Sequence, residues 1–254
     1  MRLQDRVAMV VGAGQSPGET MGNGRATAIT FARHGAKVVS VDRELASAED
    51  TALAADVKDE AAVKAAVDEC LGQHGRLDIL HNNVGISIAG NDAEITEITV
   101  EAFDHCVAVN LRGMVLTCKH ALPSMREQGS GAIINISSLA AWSVYPLVAY
   151  KTTKAAVVAM TEQLAIMNAS YGIRANVILP GLMDTPMAVD TRAKTLGKSR
   201  ADVAAMRDAQ VPLGKKMGTA WDVANAALFL ASDEAGFITG VSLPVDGGSS
   251  VRVG

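Results

Sequence analysis

With 254 residues, 49% of them hydrophobic and 20% charged, the chain has material for a sizeable folded core, and this composition argues against disorder. A net charge of −4 and a pI near 5.7, with no basic block, argue against a nucleic-acid or anionic-membrane surface. No apolar run reaches the roughly 18 residues of a transmembrane helix. Cys70, Cys106 and Cys118 are isolated and the five histidines scattered, so neither a disulfide framework nor a metal site is expected.

In chain order, residues 1–6 run straight into a strand-like segment, which is not the pattern of a signal peptide. Residues 7–11, Val-Ala-Met-Val-Val, are a continuous apolar run of the kind buried on both faces of a parallel sheet. A stretch rich in glycine follows, with Gly12, Gly14, Gly18, Gly22 and Gly24, and then a helical pattern through His34. Strand, glycine turn and helix is the arrangement in which backbone closely approaches a pyrophosphate at a helix N-terminus. A second strand, residues 37–41, ends at Asp42, about 18 residues beyond Gly24, where a dinucleotide site needs a carboxylate for the adenosine ribose. Residues 55–57, with Asp56 and Val57, read as the end of a third strand. The connection from Asp42 to Asp56 is short for a crossover of about a dozen residues followed by a strand. It predicts a distorted crossover or residues missing from the chain.

Residues 59–72 read as an amphipathic helix with Val63, Ala66, Val67, Cys70 and Leu71 on one face, which makes Cys70 a core residue. Residues 77–81 form a fourth strand ending in Asn82, Asn83, Val84 and Gly85. Thr99 caps a helix running into Asn110, and a second helix follows through Met125, ended or bent by Pro123. Residues 132–136 are the fifth strand, with Ser137 and Ser138 at its carboxyl end, and residues 174–179 the sixth, broken by Pro180 and Gly181. Residues 182–211, with Met183, Met187, Leu196 and Met206, carry no strand pattern, and so long an excursion is usually functional, so the region is read as a substrate lid. Thr219 and Asp222 mark a helix start, and residues 242–248 close the chain as strand and turn. This alternation predicts one doubly wound α/β domain over residues 1–254, with a mostly parallel seven-stranded sheet.

Tyr150 and Lys154 stand four residues apart at the head of the helical run 155–167, so they share a face. An ammonium fixed there favours the phenolate and predicts a pKa below the usual value of about 10. General acid–base chemistry at neutral pH requires such a shift.

Gly12 with Gly22-Asn23-Gly24, Asp42, Asp56-Val57, Asn82-Asn83-Val84-Gly85, Asn110, Ser138, Tyr150-x-x-x-Lys154, Pro180-Gly181 with Thr185, and the closing Pro-Val-Asp-Gly-Gly of residues 244–248 occur in that order. Together they resemble the short-chain dehydrogenase/reductase family over essentially the whole chain. The resemblance implies a Rossmann-type enzyme that interconverts a secondary alcohol and a ketone. Tyr150 would be the acid/base, Lys154 would lower its pKa and hold the nicotinamide ribose, Ser138 would bind the substrate oxygen and Asn110 would support a water relay. Cofactor contacts are expected from Gly12, Gly22, Asn23, Gly24, Asp42, Asp56, Val57, Asn83, Gly85, Tyr150, Lys154, Pro180, Gly181, Met183 and Thr185. The expected cofactor is NAD, because Asp42 would meet a 2′-phosphate with like charge; the neighbouring Arg43 is read as secondary.

Three features depart from the family pattern. The glycine loop is several residues longer, around Ser16, Pro17, Gly18 and Glu19. Ser138 lies 12 residues before Tyr150, about one fewer than usual, which leaves Ser137 as an alternative. The crossover after Asp42 lacks most of a helix. A dinucleotide-sensing protein without activity would be expected to have lost the catalytic set, which is present. A sugar-nucleotide epimerase or dehydratase would want a larger C-terminal domain than the roughly 70 residues after Gly181. A ketone reductase preferring NADP(H) is the nearer alternative. Trp142, Val144, Tyr145, Leu147, Met183 and Met187 read either as the lining of an apolar pocket or as core and lid packing. No arginine cluster is legible that would demand a phosphate or a coenzyme A thioester, and the expected substrate is a small or medium secondary alcohol, polyol or cyclic ketone. The apolar helix after Lys154 predicts a homotetramer or at least a dimer, and the whole reads as a cytoplasmic enzyme.

Overall fold

The computed structural model describes residues 1–44 and 51–252. Val7–Val11 (β1) is buried at every position and leads through the glycine loop into Asn23–Arg33 (α1), Lys37–Asp42 (β2) and Thr51–Ala54 (β3). Then come Glu60–His74 (α2), Ile79–Asn82 (β4), Val100–Val107 (α3), Gly113–Gln128 (α4), Gly131–Ile136 (β5), Val148–Asn168 (α5) and Ile173–Pro180 (β6). The chain continues through Met183–Asp184 (β7), Thr191–Leu196 (α6), Arg200–Asp208 (α7), Gly218–Thr219 (β8), Ala220–Ala231 (α8) and Ser242–Val245 (β9). Seven strands pair in parallel in the order β3-β2-β1-β4-β5-β6-β9, and β7 pairs with β8 apart from them. This is the doubly wound sheet that the sequence predicts.

The continuous apolar run of β1 follows from its position. Val7, Met9 and Val11 point into a core shared with α2, α4 and α5. Ala8 and Val10 point the other way, into a core shared with Phe31 of α1 and with α8. Local chemistry sets the helix ends. Asp59 accepts from the backbone of Ala61 and Ala62 to start α2, Thr99 accepts from Ala102 to start α3, and Thr219 with Asp222 forms a capping box on α8.

Three features differ from the expectation, and a fourth expectation falls largely outside the described residues. The third strand ends at Ala54, paired with Asp42, so Asp56 and Val57 lie past its end and not within it. The crossover expected to be distorted falls on residues 43–50, of which 45–50 lie outside the described residues. Pro123 does not end the helix: α4 runs on to Gln128 and stops at Gly129 in the left-handed conformation. Proline removes only the one bond that would reach back to residue 119. Finally, α3 and α4 are joined by a π-helical turn, Ala108–Arg112, and residues 182–211 hold the two-residue strand β7 as well as helices. Among the described residues no helix is long and apolar enough to cross a membrane.

Candidate active site

A cleft of about 350 Å³ opens at the carboxyl ends of the strands. Gly12, Gly22, Asn23, Gly24, Asp42, Asp56, Val57, Asn83, Gly85, Ser138, Tyr150, Lys154, Pro180, Gly181, Met183 and Thr185 all line it. Of the predicted site residues only Asn110 stands behind its wall.

One end of the cleft is built of backbone. Gly12 sits at φ +88°, and a Cβ on Gly24 would come 1.9 Å from the Gly12 carbonyl oxygen, so α1 can approach β1 this closely only with glycine there. The Asn83 amide donates to the same carbonyl at 3.1 Å and ties β4 to the loop. Helix α1 begins at Gly22 with no side-chain cap and no acidic residue in its first turn. Its first N–H groups and the positive end of its dipole therefore suit an anion such as a pyrophosphate. Asp42 takes the Gly14 N–H on Oδ2 at 2.8 Å and the Glu44 N–H on Oδ1 at 3.3 Å. A carboxylate offers about four acceptor positions, so capacity remains for ribose hydroxyls. The lengthened glycine loop is organised by Gln15, whose amide donates to the carbonyls of Ser16 and Thr20 and accepts from the Gly22 N–H. These residues fit a nicotinamide dinucleotide.

The other end carries the chemistry. Ser138 and Tyr150 both line the cleft, close enough that the serine acts to lower the Tyr150 pKa, and the Ser138 Oγ accepts from the Ala140 N–H at 3.1 Å. Ser137 turns inward, donating to the Lys154 carbonyl at 2.7 Å. Ser138, not Ser137, is thus the serine presented beside the phenol. Lys154 is buried, donates to the Ile136 carbonyl at 2.9 Å, and has its ammonium 5.7 Å from the centre of the Tyr150 ring.

The expected depression of the Tyr150 pKa is not found. Burial pushes it up to about 12, outweighing Ser138 and the charges of Arg192 and Arg207, which act to lower it; Tyr145 acts to raise it. Burial also pushes Lys154 down to about 8. In the protein by itself, loss of hydration outweighs the neighbouring charge. Asn110 sits in the π-helical turn, fully buried. Its Oδ1 accepts the Ile86 N–H at 2.7 Å, while Nδ2 donates to the Ile86 carbonyl at 2.8 Å and to Thr153 at 3.2 Å. π turns often mark functional positions, and this one aims Asn110 at the Gly85–Ile86 backbone beside Lys154.

Sequence reasoning missed two supports of this end. Asp92 is buried and accepts the N–H groups of Ala149 at 3.0 Å and Tyr150 at 2.7 Å, capping α5 from 58 residues away where Leu147 supplies no cap. The Lys151 ammonium gathers the carbonyls of Ala140 and Ser143, at 3.1 and 2.5 Å, and so fixes the turn after Ser138. An acidic residue so distant from its helix gives no local signal.

Comparison with known proteins agrees with the geometry. The family model described as enoyl-(acyl carrier protein) reductase matches residues 18–250, and the chain belongs to the short-chain dehydrogenase/reductase family. It is 38% identical to the 2-(R)-hydroxypropyl-CoM dehydrogenase of Xanthobacter autotrophicus, over 95% of this chain and 97% of that one. It is 36% identical to the levodione reductase of Leifsonia aquatica, over 98% and 96%. Among solved structures, the ligand-free aldohexose dehydrogenase of Thermoplasma acidophilum superposes with a TM-score of 0.90 at 32% identity, covering 99% of this chain and 96% of that one. The protein is an NAD(P)-dependent oxidoreductase of this family.

Proposed function

We propose that the protein interconverts a secondary alcohol and a ketone with NAD(H), using Tyr150 as acid/base. The observation that carries this reading is that Ser138, Tyr150 and Lys154 line the same cleft as the glycine cradle and Asp42, with the Lys154 ammonium 5.7 Å from the Tyr150 ring centre. The nicotinamide, when bound, supplies or accepts the hydride. Ser138 orients the substrate oxygen by a hydrogen bond. Tyr150 gives its proton to that oxygen in reduction and takes it back in oxidation. Lys154 holds a positive charge beside the phenol and offers donors to a ribose, and Asn110 fixes the Gly85–Ile86 backbone with one Oδ1 lone pair left for a water relay. Thr185, Pro180, Gly181 and Met183 line the part of the cleft where the nicotinamide belongs. Asp56 and Val57 flank the adenine end.

Asp42 supports NAD over NADP. A 2′-phosphate within about 4 Å of its carboxylate would meet several kcal/mol of repulsion at the effective dielectric of a protein surface. Screening reduces this to a preference of about 10²-fold, or roughly 2.7 kcal/mol. Arg43 points largely to solvent and pairs with Glu44 at 3.6 Å, which fits the secondary role. A homotetramer in the cytoplasm completes the reading.

The test is Tyr150→Phe, which keeps the ring and removes the proton. Turnover should fall by about 10²–10⁴-fold with cofactor affinity nearly unchanged, whereas retention of more than about a tenth of the rate would remove Tyr150 from the role. For the cofactor, kcat/KM is compared with NAD and NADP in wild type and Asp42→Ala. An unchanged ratio in the variant would clear Asp42 of the selection.

A further inference from the structure

Three arginines lie on the segment after β7, and only one of them is spent on carboxylates. Arg200 pairs with Asp184 at 2.5 Å, Asp190 at 3.4 Å and Glu19 at 3.6 Å. Arg192 on α6 and Arg207 on α7 form no ion pair among the described residues. Arg207 is only 7% exposed, and its Nε–H donates to the Met217 thioether at 3.4 Å, a weak acceptor. Partly buried Arg192 donates from Nη1 to the Ala188 carbonyl at 3.4 Å, and Ala188 lines the cleft. A guanidinium held out of water with no counter-charge is costly.

The two charges are also close to each other and to the reacting end of the cleft. Arg192 acts against the charge on Arg207, which burial first and then Arg192 push down to about 10. Both act on Tyr150, and Arg207 also on Tyr145, whose ring centre lies 5.4 Å from that of Tyr150. Asp184 also acts on Arg207, but its ion pair is with Arg200. Two guanidinium groups 15 residues apart in sequence thus lie within electrostatic reach of each other and of Tyr150, with no carboxylate in an ion pair with either among the described residues.

We propose that Arg192 and Arg207 form a binding subsite for a carboxylate or sulfonate, so that the substrate is a small hydroxy or keto acid whose anionic group lies on the lid side of Tyr150. This rests on the alcohol–ketone reading above and narrows its substrate class. The fork geometry of a guanidinium matches a carboxylate or sulfonate in two-point contact. A single anion would offset the repulsion between the two arginines and draw α6 and α7 onto the cleft. Pattern alone does not single them out, because Arg192 shares its stretch with Lys194, Lys198 and Arg200, and Arg207 stands apart from it.

The test compares kcat/KM for 3-hydroxybutanoate and 2-hydroxypropanesulfonate with that for 3-hydroxybutanamide and 2-hydroxypropanesulfonamide, using the full-length protein. The acids should be favoured by about 10- to 100-fold, the range of hydrogen bonds to charged groups. The carboxylate and sulfonate arms show which anion is preferred. Arg192→Met, at a partly exposed position, and Arg207→Met should each collapse this preference, and Arg207→Lys should restore part of it. In parallel, the melting temperature is followed with succinate and methanesulfonate, which carry no hydroxyl to oxidise. They should stabilise wild type and not Arg192→Met. If anion binding depends on Arg192 but no alcohol of either charge turns over, the reaction assignment fails and the subsite stands. Equal kcat/KM for acids and amides in wild type overturns the subsite, and so does anion stabilisation that survives in Arg192→Met; the wild-type comparison requires no variant to fold.

Discussion

Lys154 shows how burial and charge compete at a single residue. Its pKa lies at about 8 in the fold against a usual value of 10.5, because the ammonium is buried with one carbonyl as its recorded hydrogen-bond partner. Between those two values the unfolded chain binds the proton that the folded chain has lost, so this group makes stability rise with pH from about 8 to about 10.5. Below that window the cost of burying the charge is fully present. Lys154→Met should therefore melt higher relative to wild type at pH 7 than at pH 10, and thermal melts across that range check it. A difference in melting temperature that stays constant would show that the ammonium is not held against its hydration. Tyr150 and Lys154 were legible in the sequence because helical spacing puts them on one face. The sign of the tyrosine shift was not, since burial is a property of the assembled fold. Asp92 was equally hidden. Asp92→Ala should cost about 1–2 kcal/mol in urea unfolding, as the loss of a helix cap does, and should lower kcat more than it raises KM. An unchanged kcat would show that the cap serves stability alone.

The element with most bearing on the cofactor is the lengthened glycine loop, which is latched to the segment after β7. Arg200 of α7 bridges Glu19 of the loop to Asp184 of β7 and Asp190 beyond it, and Thr20 meets Asp184 at 3.5 Å. Gly18 packs so closely that a Cβ there would lie 2.8 Å from the Pro186 Cβ. The glycine loop and the segment after β7 are thus tied together where both line the cleft. Arg200→Ala should raise the cofactor KM by roughly 3- to 10-fold, equivalent to about 0.7–1.4 kcal/mol of lost binding, with a smaller effect on kcat. Gly18→Val should act in the same direction through steric displacement. Cofactor KM within error of wild type in both variants would mean that the latch has no part in binding. Most elements were readable from pattern: the all-apolar β1, the capped starts of α3 and α8, and the strand ends at Asp42 and Ile136. The π turn at Ala108–Arg112 was not, because α and π turns carry much the same side-chain pattern. The strand β7 is only two residues long, too short for any alternation to show.

At the scale of the whole molecule, the sheet and its two faces account for one side of α5. Thr153, Val157, Thr161, Ala165 and Asn168 are buried against the body, while Ala155, Ala159, Ile166 and Met167 face outward. Ile166 is 71% exposed and Met167 58%, and the neighbouring helices α3 and α4 leave Phe103 and Val115 partly uncovered. Trp142 and Val144 are exposed as well. A chain with a net charge of only −4 gains little electrostatic repulsion to keep such surfaces apart. Each large apolar side chain removed from water by a second copy contributes about 1.5–3 kcal/mol. The family resemblance implies the same assembly. Light scattering should therefore give a mass that is a multiple of 26.4 kDa, two- or fourfold. Placing charge on the outward face of α5 with Ile166→Glu and Met167→Lys should weaken association by at least roughly 10²-fold, since the two losses together exceed 2.7 kcal/mol at 1.4 per decade. The variants' mass should then fall on dilution while their circular dichroism stays that of the wild type. A wild-type protein that remains at 26.4 kDa at high concentration would leave this face to solvent and remove the assembly from the account.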